Sequence, residues 1–187
     1  LYDMHISLNG KMTSFAGFLL PTHYSSINLE HNSVRSKVGI FDVSHMGEII
    51  VSGKDALSFL QKITINDLES LNKGQAQYSA MCYEDGGIVD DLLIYKKENE
   101  FMLVVNAANR HKDYNWMVAN SSGDVIINDI SEEIALIALQ GPNSKDVLQK
   151  LTTRDLSKMK YYNFIDYKVG NIDTIISRTG YTGELGY

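Results

Sequence analysis

Gly86-Gly87-Ile88-Val89-Asp90-Asp91-Leu92-Leu93-Ile94-Tyr95 opens on a glycine pair, passes through two adjacent aspartates and ends in an apolar run. The run is short, β-branched at its start and bounded by turn residues, so Ile88 to Tyr95 reads as a strand. Strand side chains alternate between faces. Asp90 and Leu92 therefore share one face, and Asp91, Leu93 and Tyr95 share the other. The two aspartates point apart and cannot act as a carboxylate dyad. What remains is one carboxylate beside an aliphatic and an aromatic side chain, a trio suited to a flat ligand with a polar edge.

Working outward, Glu84-Asp85-Gly86-Gly87 reads as a hairpin turn, and Gln75 to Cys82 alternates polar and apolar residues as the strand before it. Phe101 to Asn106 is the partner strand on the other side. A helix is expected from about Asn109 to Ala119, then a strand at Val125 to Ile127. Upstream, Met46 to Val51 reads as a strand. Ser52 then caps a helix from about Lys54 to Lys62, with Ala56, Leu57, Leu60 and Ile63 at core spacing. With one strand over, the order β-α-β-β-α-β matches the split βαβ, or ferredoxin-like, pattern.

The flanks are less regular. Lys11 to Leu20 is partly extended around Gly17. A helix is expected from about Ser25 to Lys37, carrying Leu29, Val34 and Val38 inward, followed by a strand at Ile40 to Val43. Ile134 to Leu139 reads as a strand, and Gly141-Pro142 as the start of a helix running through Leu151. Tyr161 to Val169 and Asp173 to Ser177 read as an antiparallel pair. The end, Arg178-Thr179-Gly180-Tyr181-Thr182-Gly183-Glu184-Leu185-Gly186-Tyr187, is glycine-rich.

The 187 residues, 44% hydrophobic and 21% charged, have ordinary globular composition. A net charge of −6, with no dense Lys/Arg block, argues against nucleic acid as a partner. No apolar run is long enough to span a membrane. The single cysteine, Cys82, allows no intrachain disulfide and fits a reducing compartment. It is expected to be a buried, inert thiol. His5, His23, His31, His45 and His111 are scattered, so no metal site is expected. Leu1-Tyr2-Asp3 carries neither an initiator methionine nor a signal-peptide pattern and reads as trimmed, or as the start of a fragment.

Candidate sites follow from residue chemistry. Asp91 either hydrogen-bonds its own hairpin or contacts an amine or ring N–H of a ligand. Asn106, at a strand end, is either a turn residue or an amide that reads the edge of a heterocycle. Asp42, Ser44 and His45 are too close in sequence for a catalytic triad, whose members normally come from separate elements, so His45 is expected to be structural or hydrogen-bonded. Met46 beside Gly47 suits an apolar contact where backbone approaches a ligand. Gly180-Tyr181-Thr182-Gly183 lacks the Gly-Lys-Ser/Thr ending of a phosphate loop and reads either as a plain loop or as a bend that presents Tyr181.

Eight blocks, in one order, carry a family resemblance: Phe15-Ala16-Gly17-Phe18, Glu30-His31-Asn32-Ser33-Val34-Arg35, Phe41-Asp42-Val43-Ser44-His45-Met46-Gly47-Glu48, Gly74-Gln75-Ala76-Gln77-Tyr78, Gly86-Gly87-Ile88-Val89-Asp90-Asp91, Val104-Val105-Asn106-Ala107-Ala108-Asn109, Leu139-Gln140-Gly141-Pro142 and Arg178-Thr179-Gly180-Tyr181-Thr182-Gly183-Glu184. Together they resemble the T-proteins of the glycine cleavage system, the tetrahydrofolate-dependent aminomethyltransferases. The resemblance implies transfer of a one-carbon unit from the aminomethyl-lipoyl arm of an H-protein to tetrahydrofolate, with release of ammonia. It implies tetrahydrofolate as co-substrate, no metal, and a bacterial cytoplasm or mitochondrial matrix. The family's key aspartate matches Asp91, which is taken to orient the folate and assist attack by a pterin nitrogen. Its folate-lining positions match Met46, Tyr78, Leu93, Tyr95, Asn106 and Tyr181, leaving Asp90 a structural role.

The fold implied is α+β: a ferredoxin-like split βαβ domain, residues 48–131, inserted in a discontinuous antiparallel-sheet domain made of 1–47 and 132–187. A third, barrel domain of the family is not expected in this chain. Two alternatives stay open. One is a folate-dependent demethylase, or the folate domain of a sarcosine- or dimethylglycine-oxidising enzyme. The other is a non-catalytic folate-binding factor on the same fold, against which the absence of cysteine from the 178–183 stretch counts.

Overall fold

Ala16 and Gly17 both take positive φ, 50° and 86°. Two such residues make the tight turn that matches the twist of a β-hairpin, and here they join β1 (Met12–Phe15) to β2 (Phe18–Pro21), with Phe15 opposite Phe18. A short helix, α1 (Tyr2–Ser7), precedes the hairpin, and α2 (Ile27–Ser36) follows it. This computed structural model describes residues 1–187. They form two units: Leu1–His45 with Leu136–Tyr187, and Met46–Ala135.

In α2 only Val34 is buried, while Leu29, expected to face inward, is 66% exposed. The reason is angular: five residues at 100° each place Leu29 far around the helix from Val34. After α2 the chain forms β3 (Gly39–Asp42) and leaves for the second unit.

There the elements are β4 (Gly47–Ser52), α3 (Ala56–Ile63), β5 (Gln75–Cys82), β6 (Ile88–Lys96), β7 (Glu100–Val105), α4 (Arg110–Asn120) and β8 (Ile126–Asp129). The five strands form one antiparallel sheet in the order β5-β6-β7-β4-β8. Strands β6, β7, β4 and β8 keep the split βαβ arrangement, and β5 adds an edge strand through the Glu84–Gly87 hairpin. One sheet face carries Ile49, Val51, Leu92, Ile94, Leu103 and Val105 into a core with Leu60 and Ile63 of α3 and Met117 of α4. A register shift between Met81 and Cys82 ends the regular pairing of β5, and Cys82 is half-buried where a buried thiol was expected.

The chain returns to the first unit with β9 (Ile137–Gln140), which pairs antiparallel with β3. The helix after it, α5 (Ser144–Leu148), is much shorter than the stretch expected from Gly141 to Leu151. Gly141 has φ +127° and Asn143 is the cap, so helical geometry starts late. Past Leu148 the Gln149 side chain donates to Thr152 O and Arg154 O and accepts from Leu156 N, which organises a turn in place of further helix. A hairpin of β10 (Phe164–Val169) and β11 (Ile172–Ser177) completes the unit over a small cluster of Leu156, Met159 and Ile176. The glycine-rich end is tied down by the buried Gln140. Its Oε1 accepts from Thr182 Oγ1 at 3.0 Å, and its Nε2 donates to Thr179 O at 3.3 Å. No helix is long and apolar enough to cross a membrane.

Candidate functional site

The sheet of the second unit has one face filled by the core, and Asp91 points from the other. Pairing sets its neighbours: Ala80 lies opposite Asp91, Tyr78 and Val104 flank Leu93, and Ala76 and Met102 flank Tyr95. Tyr78 is therefore the diagonal cross-strand neighbour of Asp91, within reach of a long side chain. Its hydroxyl donates to Asp91 Oδ2 at 2.9 Å. Asn106 follows β7 directly, and its Nδ2 donates to Asp91 Oδ1 at 2.9 Å. Both carboxylate oxygens are thus held, and the group is fixed without being sealed, since Asp91 is half-buried.

The same Asn106 nitrogen lies 3.1 Å from Asp90 Oδ1 and 3.3 Å from Asp91 O. Strand alternation does send the two aspartates to opposite faces, but the strand-end amide touches both. Leu93, half-buried, and Tyr95, buried, lie along the Asp91 face. Met46, half-buried, immediately precedes β4 in this unit. Tyr181 belongs to the first unit, where it is 63% exposed and its ring packs edge-on against Phe41 at 5.9 Å.

Asp42, Ser44 and His45 form no triad. Asp42 Oδ2 pairs with His5 Nε2 at 2.8 Å, and His5 Nδ1 meets the Tyr24 hydroxyl at 2.7 Å. Burial costs Asp42 something, but the bonds from Ser44 and His5 outweigh it and hold its carboxyl below the ordinary range. Ser44 Oγ donates to Leu136 O. His45 packs edge-on against Phe15 at 5.6 Å with its Nδ1 buried and without a hydrogen-bond partner. Burial lowers its pKa against the opposing pull of Asp42. No group of three His, Cys, Asp or Glu is placed to hold a metal ion.

Two buried acids went unnoticed in the sequence. Glu48, 1% exposed on β4, has both carboxyl oxygens without a partner, and burial pushes its pKa up to about 7, partly opposed by Arg110. Asp113 lies on α4 four residues before the core residue Met117 and is fully buried. Its signal in the sequence is a charged residue at core spacing on an otherwise polar helix.

The profile of the GCVT N-terminal domain matches residues 1–187. The chain belongs to this family. Curated relatives include the aminomethyltransferases of Bacillus licheniformis, 51% identical, and Bacillus subtilis, 52% identical, in each case over 100% of this chain and 52% of the relative. The crystal structure of glycine cleavage system aminomethyltransferase T from Bartonella henselae superposes with a TM-score of 0.90 at 33% identity, covering 99% of this chain and 50% of that one. Heterotetrameric sarcosine oxidase from Corynebacterium sp. U-96 matches with a TM-score of 0.61 at 15% identity over 85% of this chain and 80% of that one, a likeness of fold alone. The chain spans about half the length of the curated relatives it matches.

Proposed function

We propose that this chain is the folate-facing part of an aminomethyltransferase of the glycine cleavage system. The single observation that carries the reading is the Asp91 carboxylate, clamped by Tyr78 and Asn106 on a sheet face beside Leu93 and Tyr95. A pterin is flat and apolar across its faces, with N–H donors along its edge. Asp91 accepts from that edge, Leu93, Tyr95 and Met46 supply apolar contact, and Asn106 reads the remaining heteroatoms. Tyr78 both orients Asp91 and offers an aromatic surface. Residues 1–47 and 132–187 are proposed as one discontinuous domain and 48–131 as the domain inserted in it.

The substrates are tetrahydrofolate and the aminomethyl-lipoyl arm of an H-protein, and the site of action is the bacterial cytoplasm, in keeping with the bacterial relatives. In the reaction the aminomethyl carbon loses its bonds to sulfur and to nitrogen and gains bonds to two folate nitrogens. The two folate N–H protons leave with the dihydrolipoyl thiol and ammonia. Asp91 raises the nucleophilicity of the attacking nitrogen by accepting its hydrogen bond.

The test uses the full-length gene product with tetrahydrofolate and aminomethyl-loaded H-protein. Methylenetetrahydrofolate should form. Asp91→Asn should fold normally by circular dichroism and lose turnover by about 10²-fold or more. No product from the unsubstituted protein, beside a known aminomethyltransferase working in parallel, would sink the assignment; near-normal turnover in Asp91→Asn would remove Asp91 from the mechanism.

A further inference from the structure

Behind Asp91, on the core face of the same sheet, two acids meet. Asp90 comes from β6 and is 7% exposed; Asp113 comes from α4 and is 0% exposed. Lys112, beside Asp113, reaches the carbonyl of Val89, the residue before Asp90, and Asp90 acts on the Asp113 carboxyl by hydrogen bonding and by charge. Asp90 Oδ1 accepts from Asn106 Nδ2 at 3.1 Å. The other three oxygens, Asp90 Oδ2 and both of Asp113, are buried without a donor. The nearest cation is Lys112, whose Nζ stands 3.6 Å from Asp113 Oδ1 and donates to Val89 O at 2.5 Å. The charged groups facing the pair are thus Lys112 on α4 and, across Asn106, Asp91 on β6.

Two bare carboxylates cannot lie side by side in such a place, because like charges and desolvation both disfavour the second ionisation. A single proton resolves the conflict. Placed on Asp113, it gives an O–H that donates to Asp90 Oδ2, so two of the three orphan oxygens are satisfied at once. Burial first, and then the bond to and charge of Asp90, push the Asp113 carboxyl up to about 8.

We propose that Asp90 and Asp113 share one proton and act as a positioning pair: they set the Asn106 amide, which in turn holds Asp91. Asn106 is the mechanical link, since its one nitrogen reaches Asp90 Oδ1 on the core face and Asp91 Oδ1 on the open face. With the proton in place, Asp90 presents a fixed acceptor to the amide and Asp91 is held in register with Tyr78. Without it, the two acids repel and Asp90 swings, taking the amide with it. The inference rests on the proposed contact of Asp91 with folate, so its test separates the two.

Carbon-13 NMR of aspartate-labelled full-length protein reads the proton directly. One aspartic carboxyl should remain protonated at pH 7, titrate near pH 8 and vanish from the spectrum in Asp113→Asn. Full ionisation of every aspartate at pH 7 would overturn the proposal. Kinetics read the coupling to Asp91. Asp113→Leu should lower kcat about tenfold or more, with KM for tetrahydrofolate changed less than about threefold. Asp113→Asn, whose amide donates as the acid does, should rescue kcat to within about twofold; the parent's kcat should decline above pH 8, and the variant's should not. If Asp113→Leu turns over like the parent, the positioning role is wrong while the folate reading stands. If the parent protein shows no folate-dependent turnover, both fall, even with the protonated carboxyl in view. The carboxyl signal is read on the unsubstituted protein, so a variant that fails to fold does not hide the answer.

Discussion

Replacing Glu48 by glutamine should change how the stability of this chain depends on pH. Glu48 is buried on β4, neither carboxyl oxygen has a partner, and its pKa rises from 4.5 to about 7, mainly through desolvation and despite the nearby Arg110. A carboxyl whose folded pKa is raised favours the folded state below its unfolded pKa, and that advantage is lost as the pH climbs through the folded value. The window is therefore roughly pH 4.5 to 7. At about 1.36 kcal/mol per unit the whole effect is about 3 kcal/mol, of which about 2.5 kcal/mol falls between pH 5 and pH 8. Glutamine cannot ionise, so its curve lacks this slope. The assay is urea unfolding at several pH values, followed by fluorescence of Trp116, the single tryptophan, which packs against the core of the same unit. The difference between parent and Glu48→Gln should move in favour of the variant as the pH rises. Parallel curves across that range would show Glu48 ionised in the fold and would refute the reasoning from burial.

Tyr78→Phe removes the hydroxyl that donates to Asp91 Oδ2 and leaves the ring. Because Tyr78 is exposed, the loss should be modest: about 0.5–1.5 kcal/mol, seen as a roughly two- to tenfold fall in kcat/KM with folding unchanged. Gly141→Ala places a Cβ 2.6 Å from the carbonyl oxygens of Lys37 and Val34 in a backbone at φ +127°. It should destabilise the first unit by about 2 kcal/mol or more, measured as a lowered Tm; an unchanged Tm would contradict that geometry.

The strand bearing Asp91 was legible because period-two alternation needs only local sequence, and Asp91, Leu93 and Tyr95 do share a face. The helices were harder. Leu29 was expected inward on hydrophobicity alone, although its spacing from Val34 put it on another side of α2. The length of α5 depended on the Gln149 side chain, whose bonds to Thr152, Arg154 and Leu156 no helical pattern anticipates. The pairing of Asp113 lay out of reach for a different reason. Its partner Asp90 is far away along the chain, and the two meet only when α4 docks on the sheet, so neither residue carries a local mark of the other. Asn106 was found as a candidate, but its double contact, with one aspartate on each face, required the register of β6 against β7.

The pairing of β3 with β9 also says something about how the chain is made. Their antiparallel register runs from Gly39 opposite Gln140 to Asp42 opposite Ile137, and Val43 N donates to Leu136 O just beyond it. All of Met46–Ala135 leaves and re-enters between two neighbouring strands. On the ribosome β3 emerges early and must wait for β9, whereas every strand of the intervening sheet has been synthesised before β9 appears. The inner unit can therefore close first, and its closure draws Asp42 and Ile137 together, shortening the loop that the outer unit still has to close.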